Sequence, residues 1–538
     1  MSNFHSKKVN RIEKESHLNW MGGKSFDLSN PIMALRIAAS SCFFGEPQYY
    51  HRDSDDKRKV RVTAPSSLSD NDVNRLREVL DAIAPIEWRK MTPSEMMESA
   101  IDKALDFNVE ATLQEAVRLR QEEHIRTTPQ VILVRAANHK KAKGTSLVRQ
   151  YAQDIIARAD EPSVGLAYQL WRYGLKAPIP NSLKKAWKDS LEKFDEYNIA
   201  KYRMENREVK TVDVINLVHP KSVVVSKLVK GELKNTGETW EAIISANGSN
   251  KESWTKAVDK MGHMALLRNL RNFELNKVPS EKYLEKLVST ASKGKQLPFR
   301  YVSAYREVEK VNGNGNVLDA IEECLFKSLD NLPRLNGKVM SLCDNSGSAW
   351  GATTSSMGTM EVATIANLTG IIGTMIADEG YVGVFGDGLK KISIRKKASV
   401  FHQLKEVSAV GKTVGQNTEN GIWLFWDKAI KEKEHWDHVF IFSDMQAGHG
   451  GLYGINPIEY KDYLWNPPAN SYHIDVPKLI STYRSKVNPD VKVYCVQVAG
   501  YQDTIIPEFY KNTYILGGWS ENLFRFAAEM ASINHPKQ

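Results

Sequence analysis

Val339-Met340-Ser341-Leu342-Cys343-Asp344-Asn345-Ser346-Gly347-Ser348 is the stretch on which the fold turns. Its apolar run reads as a buried strand. Its Asp-x-Ser-x-Ser tail reads as the loop leaving that strand's carboxyl end. Oxygens on the alternate residues Asp344, Ser346 and Ser348 can converge on one hard cation, magnesium, calcium or manganese rather than a softer metal, with magnesium the first choice. Taken alone the tail is equally an Asx turn, because turns are rich in these residues.

The chain after this stretch supports the cation reading. Helices are expected near 358–378, 400–407, 421–431 and 477–486, and strands near 381–385, 391–395, 439–442 and 491–498. Such alternation predicts a parallel, doubly wound α/β sheet, whose ligands bind at the carboxyl ends of strands. Asp444 ends one of those strands. Thr418, in Gly415-Gln416-Asn417-Thr418-Glu419-Asn420, precedes a helix and can add a hydroxyl. The predicted divalent-cation set is therefore Asp344, Ser346, Ser348, Thr418 and Asp444.

The chain before it predicts amphipathic helices with few strands. Ser69 or Asp70 can cap one over 73–83, and Thr92-Pro93-Ser94-Glu95 is a capping box with proline at the first helical position. Thr112 with Glu115 repeats the box, and Thr128-Pro129 opens another helix. More follow near 146–159, 181–197, 253–275, 280–293 and 298–310. Capped helices with short breaks fit an α-solenoid, although no exact period stands out. Asn312-Gly313-Asn314-Gly315-Asn316 is the turn-rich boundary segment. The expected domains are 1–330, helical, and 331–538, α/β.

Basic residues gather in the helical half: Lys140, Lys141 and Lys143, then Lys184, Lys185 and Lys188 on one helix face, then Arg268 and Arg271 on another. Each cluster alone reads as a solvated face. Several on one scaffold suit phosphate, which needs many modest contacts. The net charge of +9 agrees with an acidic partner.

Other chemistries find little support. Gly22-Gly23-Lys24-Ser25 lacks the phosphate-loop glycine five residues earlier, where Leu18 stands, and no strand is expected before it. There is no Gly-x-Ser-x-Gly elbow, and His449-Gly450-Gly451 has no nucleophile attached to it. Two-metal nuclease chemistry wants more carboxylates than the two in the predicted set, so a non-catalytic protein is expected. The four scattered cysteines form no C-x-x-C pair and suit a reducing, cytoplasmic setting. No run is apolar for long enough to span a bilayer, so no membrane partner is expected.

Several segments carry a family resemblance: Ser40-Ser41-Cys42-Phe43-Phe44-Gly45 with Tyr49-Tyr50, Ser182-Leu183-Lys184-Lys185-Ala186, Leu217-Val218-His219-Pro220-Lys221, Met264-Ala265-Leu266-Leu267-Arg268-Asn269-Leu270 and Leu297-Pro298-Phe299. At these the chain resembles the Ro ribonucleoprotein autoantigen family, whose members carry a TROVE module and include bacterial Ro-like proteins. Its second half resembles a von Willebrand factor A domain, the metal-ion-dependent adhesion motif falling on Asp344, Ser346, Ser348, Thr418 and Asp444. The resemblance implies a ring of HEAT-like repeats closed by that domain. Such rings take single-stranded 3′ ends of misfolded or structured RNA through a basic hole and bind a small Y RNA outside. Through that RNA bacterial members are tethered to polynucleotide phosphorylase. Lys184 and Lys185 inherit the Y RNA surface, Arg268 and Asn269 a place near the hole, and His219 joins the RNA-binding set. The chain departs from the animal pattern at Gln416-Asn417-Thr418-Glu419, where animal members have Gly-Gly-Thr-Asp. A metal-dependent protein-adhesion module on an α-solenoid is the alternative function.

Overall fold

The computed structural model describes residues 16–18, 24–27, 30–41, 93–203, 209–233, 239–294, 296–330, 332–351, 360–417, 419–445, 464–465, 473–498, 503–506, 512–518 and 522–533. The helix expected over 73–83 lies outside them. The chain divides into two compact units. One holds 98–331 with 43–54, the other 332–538 with 1–42 and 55–97. The amino-terminal segment groups with the carboxyl-terminal unit.

Strands β1 (Ser16–Leu18) and β2 (Lys24–Asp27) form an antiparallel pair in that segment. This corrects the expectation of no strand there. It also disposes of the phosphate loop, since Lys24 and Ser25 sit within a strand instead of opening a helix. Helix α1 (Pro31–Ser41) buries Ala34, Leu35, Ile37 and Ala38.

The helical unit opens within α2 (Pro93–Phe107), at Glu98, and continues with α3 (Val109–Gln121), α4 (Thr127–Asn138), α5 (Leu147–Ile155), α6 (Glu161–Tyr173) and α7 (Asn181–Glu192). Helix α3 starts where Asn108 accepts the Ala111 N–H at 2.9 Å. Thr112 is therefore no cap: it lies one turn inside and bonds back to the Asn108 carbonyl at 2.7 Å. Val109, Leu113 and Ala116 recur at helical spacing and are buried.

These helices make two layers of parallel members. In one layer Arg135 of α4 reaches Asp102 of α2 and the Tyr168 hydroxyl of α6, and His139 reaches Asp106. Each step is 33 residues. In the other, Tyr151 of α5 meets Glu110 of α3, and Arg149 meets Asp189 of α7, at steps of 41 and 40. The repeat is thus kept by cross-bridges at near-constant offset, while its apolar residues vary. Gly165 lies under the buried Trp187, and a Cβ there would come within 3.1 Å of the indole, so glycine lets α6 and α7 close up. The expected helix over 253–275 is two, Lys251–Val258 and His263–Leu275, parted by Gly262.

The α/β unit has the sheet order β11-β9-β6-β3-β4-β5. The strands are β3 (Leu335–Asp344), β4 (Ala377–Phe385), β5 (Leu389–Ser393), β6 (His438–Ser443), β9 (Lys492–Gln497) and β11 (Thr513–Gly517). Short strands β7 (Leu464–Trp465) and β8 (His473–Ile474) pair with each other, and β10 (Asp503–Thr504) pairs with β2. All neighbours in the main sheet are parallel except β5, an antiparallel edge. The sequence reading missed β11, a half-buried edge strand with no long apolar run.

Strand β3 is buried on both faces, as a central parallel strand must be. Met340 and Leu342 join a core with Trp423, Trp426 and Trp436. Cys343 faces the helix Val362–Met375, whose Gly370 leaves room for the sulfur; a Cβ there would stand 2.3 Å from Sγ. The chain passes from β3 to β4 on one side and later to β6 on the other. The point of reversal lies between β3 and β6, where this class of sheet opens a crevice.

Candidate functional site

Cys343 pairs in register with Phe442, so β3 and β6 end side by side at that crevice. Asp344 closes β3 and Asp444 follows β6. Between them comes Glu419, which the sequence reading did not select. The three carboxylates are buried, and each offers an oxygen within 4.8 Å of the others.

Local chemistry holds Asp344 and Glu419. Asp344 Oδ1 accepts the Ser346 N–H at 2.8 Å, the Asx turn that the motif allowed. Its neighbour Asn345 points inward and exchanges carboxamide hydrogen bonds with Asn367 at 2.9 and 3.0 Å. The Ser346 and Ser348 hydroxyls lie 3.0 Å apart, and Ser348 is exposed. Glu419 lies just past the 414–417 segment, which is fastened at two points. Asp387 accepts the Asn417 N–H at 3.1 Å, and the Gln416 carbonyl accepts the Gly347 N–H at 2.8 Å. A Cβ on Gly347 would sit 2.8 Å from that carbonyl, so glycine is required between the two serines. The Glu419 carboxylate then accepts the Ser443 hydroxyl.

Three buried carboxylates cannot all ionise without compensation. Burial first, and the Asp444 charge after it, push the Asp344 carboxyl up to about 7. Burial, then Asp444 and Asp344, raise Glu419 well above the carboxylate range. Asp344 Oδ2 is buried without a hydrogen-bond partner. A divalent cation answers both features: it gives that oxygen a partner and offsets the repulsion, and the donors are the hard oxygens such ions take. Asp344, Glu419 and Asp444, with the Ser346 and Ser348 hydroxyls, are the residues that would hold it. Thr418 lies outside the described residues, as do His449, Gly450 and Gly451. The available signal for Glu419 is a glutamate beside Thr418 in a loop that leads into a helix.

The predicted RNA residues occupy four separate places. Lys140 and Lys141 form a short 3-10 turn after α4, with Lys143 just beyond, and all three are exposed. On α7, Lys185 is exposed while Lys184 and Lys188 are half-buried. On His263–Leu275, Arg268 and Arg271 face outward, Arg271 lying 3.8 Å from Glu307. His219 caps a helix in the left-handed region and is exposed. Asn269 differs from its expectation. It is 5% exposed, its amide donates to the Ala265 carbonyl, and its oxygen accepts from Asn272 at 2.9 Å. It braces the helix interior and offers nothing at the surface.

Comparison with known proteins agrees with this architecture. The family model of the TROVE domain matches residues 228–324, inside the helical unit and including Leu266-Leu267-Arg268-Asn269-Leu270. The fold is similar to the crystal structure of the Deinococcus radiodurans RO (RSR) protein, with a TM-score of 0.53 and 14% identity over 79% of this chain and 91% of that one. No curated protein matches by sequence. The match and the shared fold support the Ro/TROVE resemblance read from the sequence.

Proposed function

We propose that this chain is a non-catalytic, cytoplasmic RNA-binding component of a ribonucleoprotein, working as the Ro proteins do in RNA quality control. The observation that carries the reading is the TROVE match, because it falls on helices with outward-facing arginines in a chain that shares the Ro fold along most of its length. In this reading the helical unit is HEAT-like. It captures single-stranded 3′ ends of misfolded RNA and binds a Y-like RNA through Lys184 and Lys185, and that RNA can tether an exoribonuclease such as polynucleotide phosphorylase. The α/β unit is of the von Willebrand factor A type and holds magnesium at Asp344, Glu419 and Asp444. There the cation supplies an electrophilic point that an outside carboxylate can complete, with the exposed Ser348 at its mouth.

The protein-adhesion alternative draws on that same acidic site, and one experiment separates the two. Fluorescence anisotropy with RNA duplexes, one blunt and one carrying a single-stranded 3′ tail, is read over a salt series. The tailed duplex binds more tightly, and affinity falls steeply with salt through counterion release. Equal affinity for the two duplexes overturns the capture of 3′ ends. Absence of any RNA binding leaves the adhesion reading in its place.

A further inference from the structure

Three parallel helices of the helical unit end together. The Asp106 carboxylate near the end of α2 is 3.2 Å from the His139 ring just past α4, and the Asp106 carbonyl accepts from Lys141. Asn138 at the end of α4 bonds to Gln169, in the last turn or so of α6, at 2.7 Å. The carboxyl termini of α2, α4 and α6 therefore make one continuous edge.

Cations there have an ordinary reason to exist, since helix carboxyl ends attract positive charge. That reason does not account for the apolar residues beside them. Phe107 is 60% exposed, Tyr173 37% and Leu175 82%. They are among the few large apolar side chains exposed in the described residues, and exposed lysines accompany them: Lys141 at the Asp106 carbonyl next to Phe107, with Lys140 before it, and Lys176 directly after Leu175. Asp102 and Asp106 are also at this edge, but lysines and arginines outnumber them. Rings presented edge by edge with ammonium groups are what a single nucleic-acid strand needs: bases stack on the rings and phosphates meet the cations. A protein partner would use the apolar groups and gain little from the lysines. A duplex would use the lysines and leave the rings idle, its bases being already stacked.

We infer that this edge, built on Phe107, Tyr173 and Leu175 with Lys140, Lys141 and Lys176, is a stacking platform for unpaired bases of RNA. The assignment rests on the RNA-binding reading above and adds to it a specific place and a specific chemistry for single strands.

The test uses the full-length protein, a labelled oligoadenylate and a blunt RNA duplex. The double variant Phe107→Ala with Tyr173→Ala weakens oligoadenylate binding about tenfold to a hundredfold, and duplex affinity stays as in the wild type. Its dependence on salt is unchanged, because no phosphate contact is lost. Lys140→Gln with Lys141→Gln instead flattens that dependence by a slope of about 1.4, at roughly 0.7 per phosphate on a single strand. Tyr173→Phe keeps the ring and binds as the wild type, which controls for folding. A double alanine variant that binds oligoadenylate normally, while the wild type binds RNA, overturns the platform alone. Equal loss for oligoadenylate and duplex also overturns it, since stacking is then not the cause. A wild-type protein that binds neither RNA overturns the parent reading with it.

Discussion

In the α/β unit three carboxylates meet at one buried point, placed there by a reversal of strand order. In the helical unit the cations offered to RNA are spread over the end of α4, the face of α7 and the helix His263–Leu275, mostly on the surface. The buried site couples chemistry to the stability of its fold, because every charge must be compensated. The open surface does not, because water screens each lysine. The two units should therefore respond differently to the same kind of change.

The largest expected effect is at the buried point. Asp344→Ala removes the oxygen left orphaned at Oδ2, and magnesium affinity measured by calorimetry drops by more than about a hundredfold, beyond what the loss of a supporting group costs. Retained magnesium affinity would break the contrast, by showing that the carboxylates are not the site.

The helical unit has its own buried charge, which serves structure. Arg135 has a side chain only 5% exposed and ties Asp102, Glu98 and Tyr168 across three helices. Arg135→Ala removes the buried cation from Asp102, which water can partly solvate, and leaves Glu98 to Tyr168 and Arg172; it destabilises the unit by about 1–3 kcal/mol, read from chemical denaturation. A cost near zero would mean that the repeat offset of 33 residues is held by apolar packing alone.

A smaller effect is the pH dependence of the cation-free α/β unit. Asp344 and Glu419 have raised pKa values when folded. The folded state thus binds more protons than the unfolded one, and stability falls as pH rises from about 4 to about 7. In EDTA the melting temperature should decline through that window. Saturating magnesium should abolish or reverse the decline. A flat profile in EDTA would show that the carboxylates are not crowded in solution.

The contrast between units also explains what the sequence could tell. Asp344-x-Ser346-x-Ser348 was legible because a buried site needs fixed residue types at fixed spacing behind an apolar strand. The parallel sheet was legible for the same reason, with its strands 339–343 and 439–442 nearly all apolar. Glu419 was not, since its partnership with Asp344 and Asp444 depends on a loop fastened by Asp387 and Gly347, contacts made far along the chain. The α-solenoid was legible but its period was not, because the constant offset lies in polar bridges such as Asp102–Arg135–Tyr168, while apolar positions drift. Asn269 is buried while Arg268 is exposed because neighbours on a helix lie about 100° apart and so on different faces, which a resemblance in sequence does not distinguish.

The most direct test of the division of labour between the units is the affinity of Asp344→Ala for a duplex with a single-stranded 3′ tail, compared with the wild type in magnesium and in EDTA. The account predicts affinities that agree within about twofold in all four measurements, because the surface that meets RNA through phosphate contacts lies in the helical unit. A large loss of RNA binding in a variant that circular dichroism and melting show to be folded would contradict it, and would move RNA recognition to the metal centre.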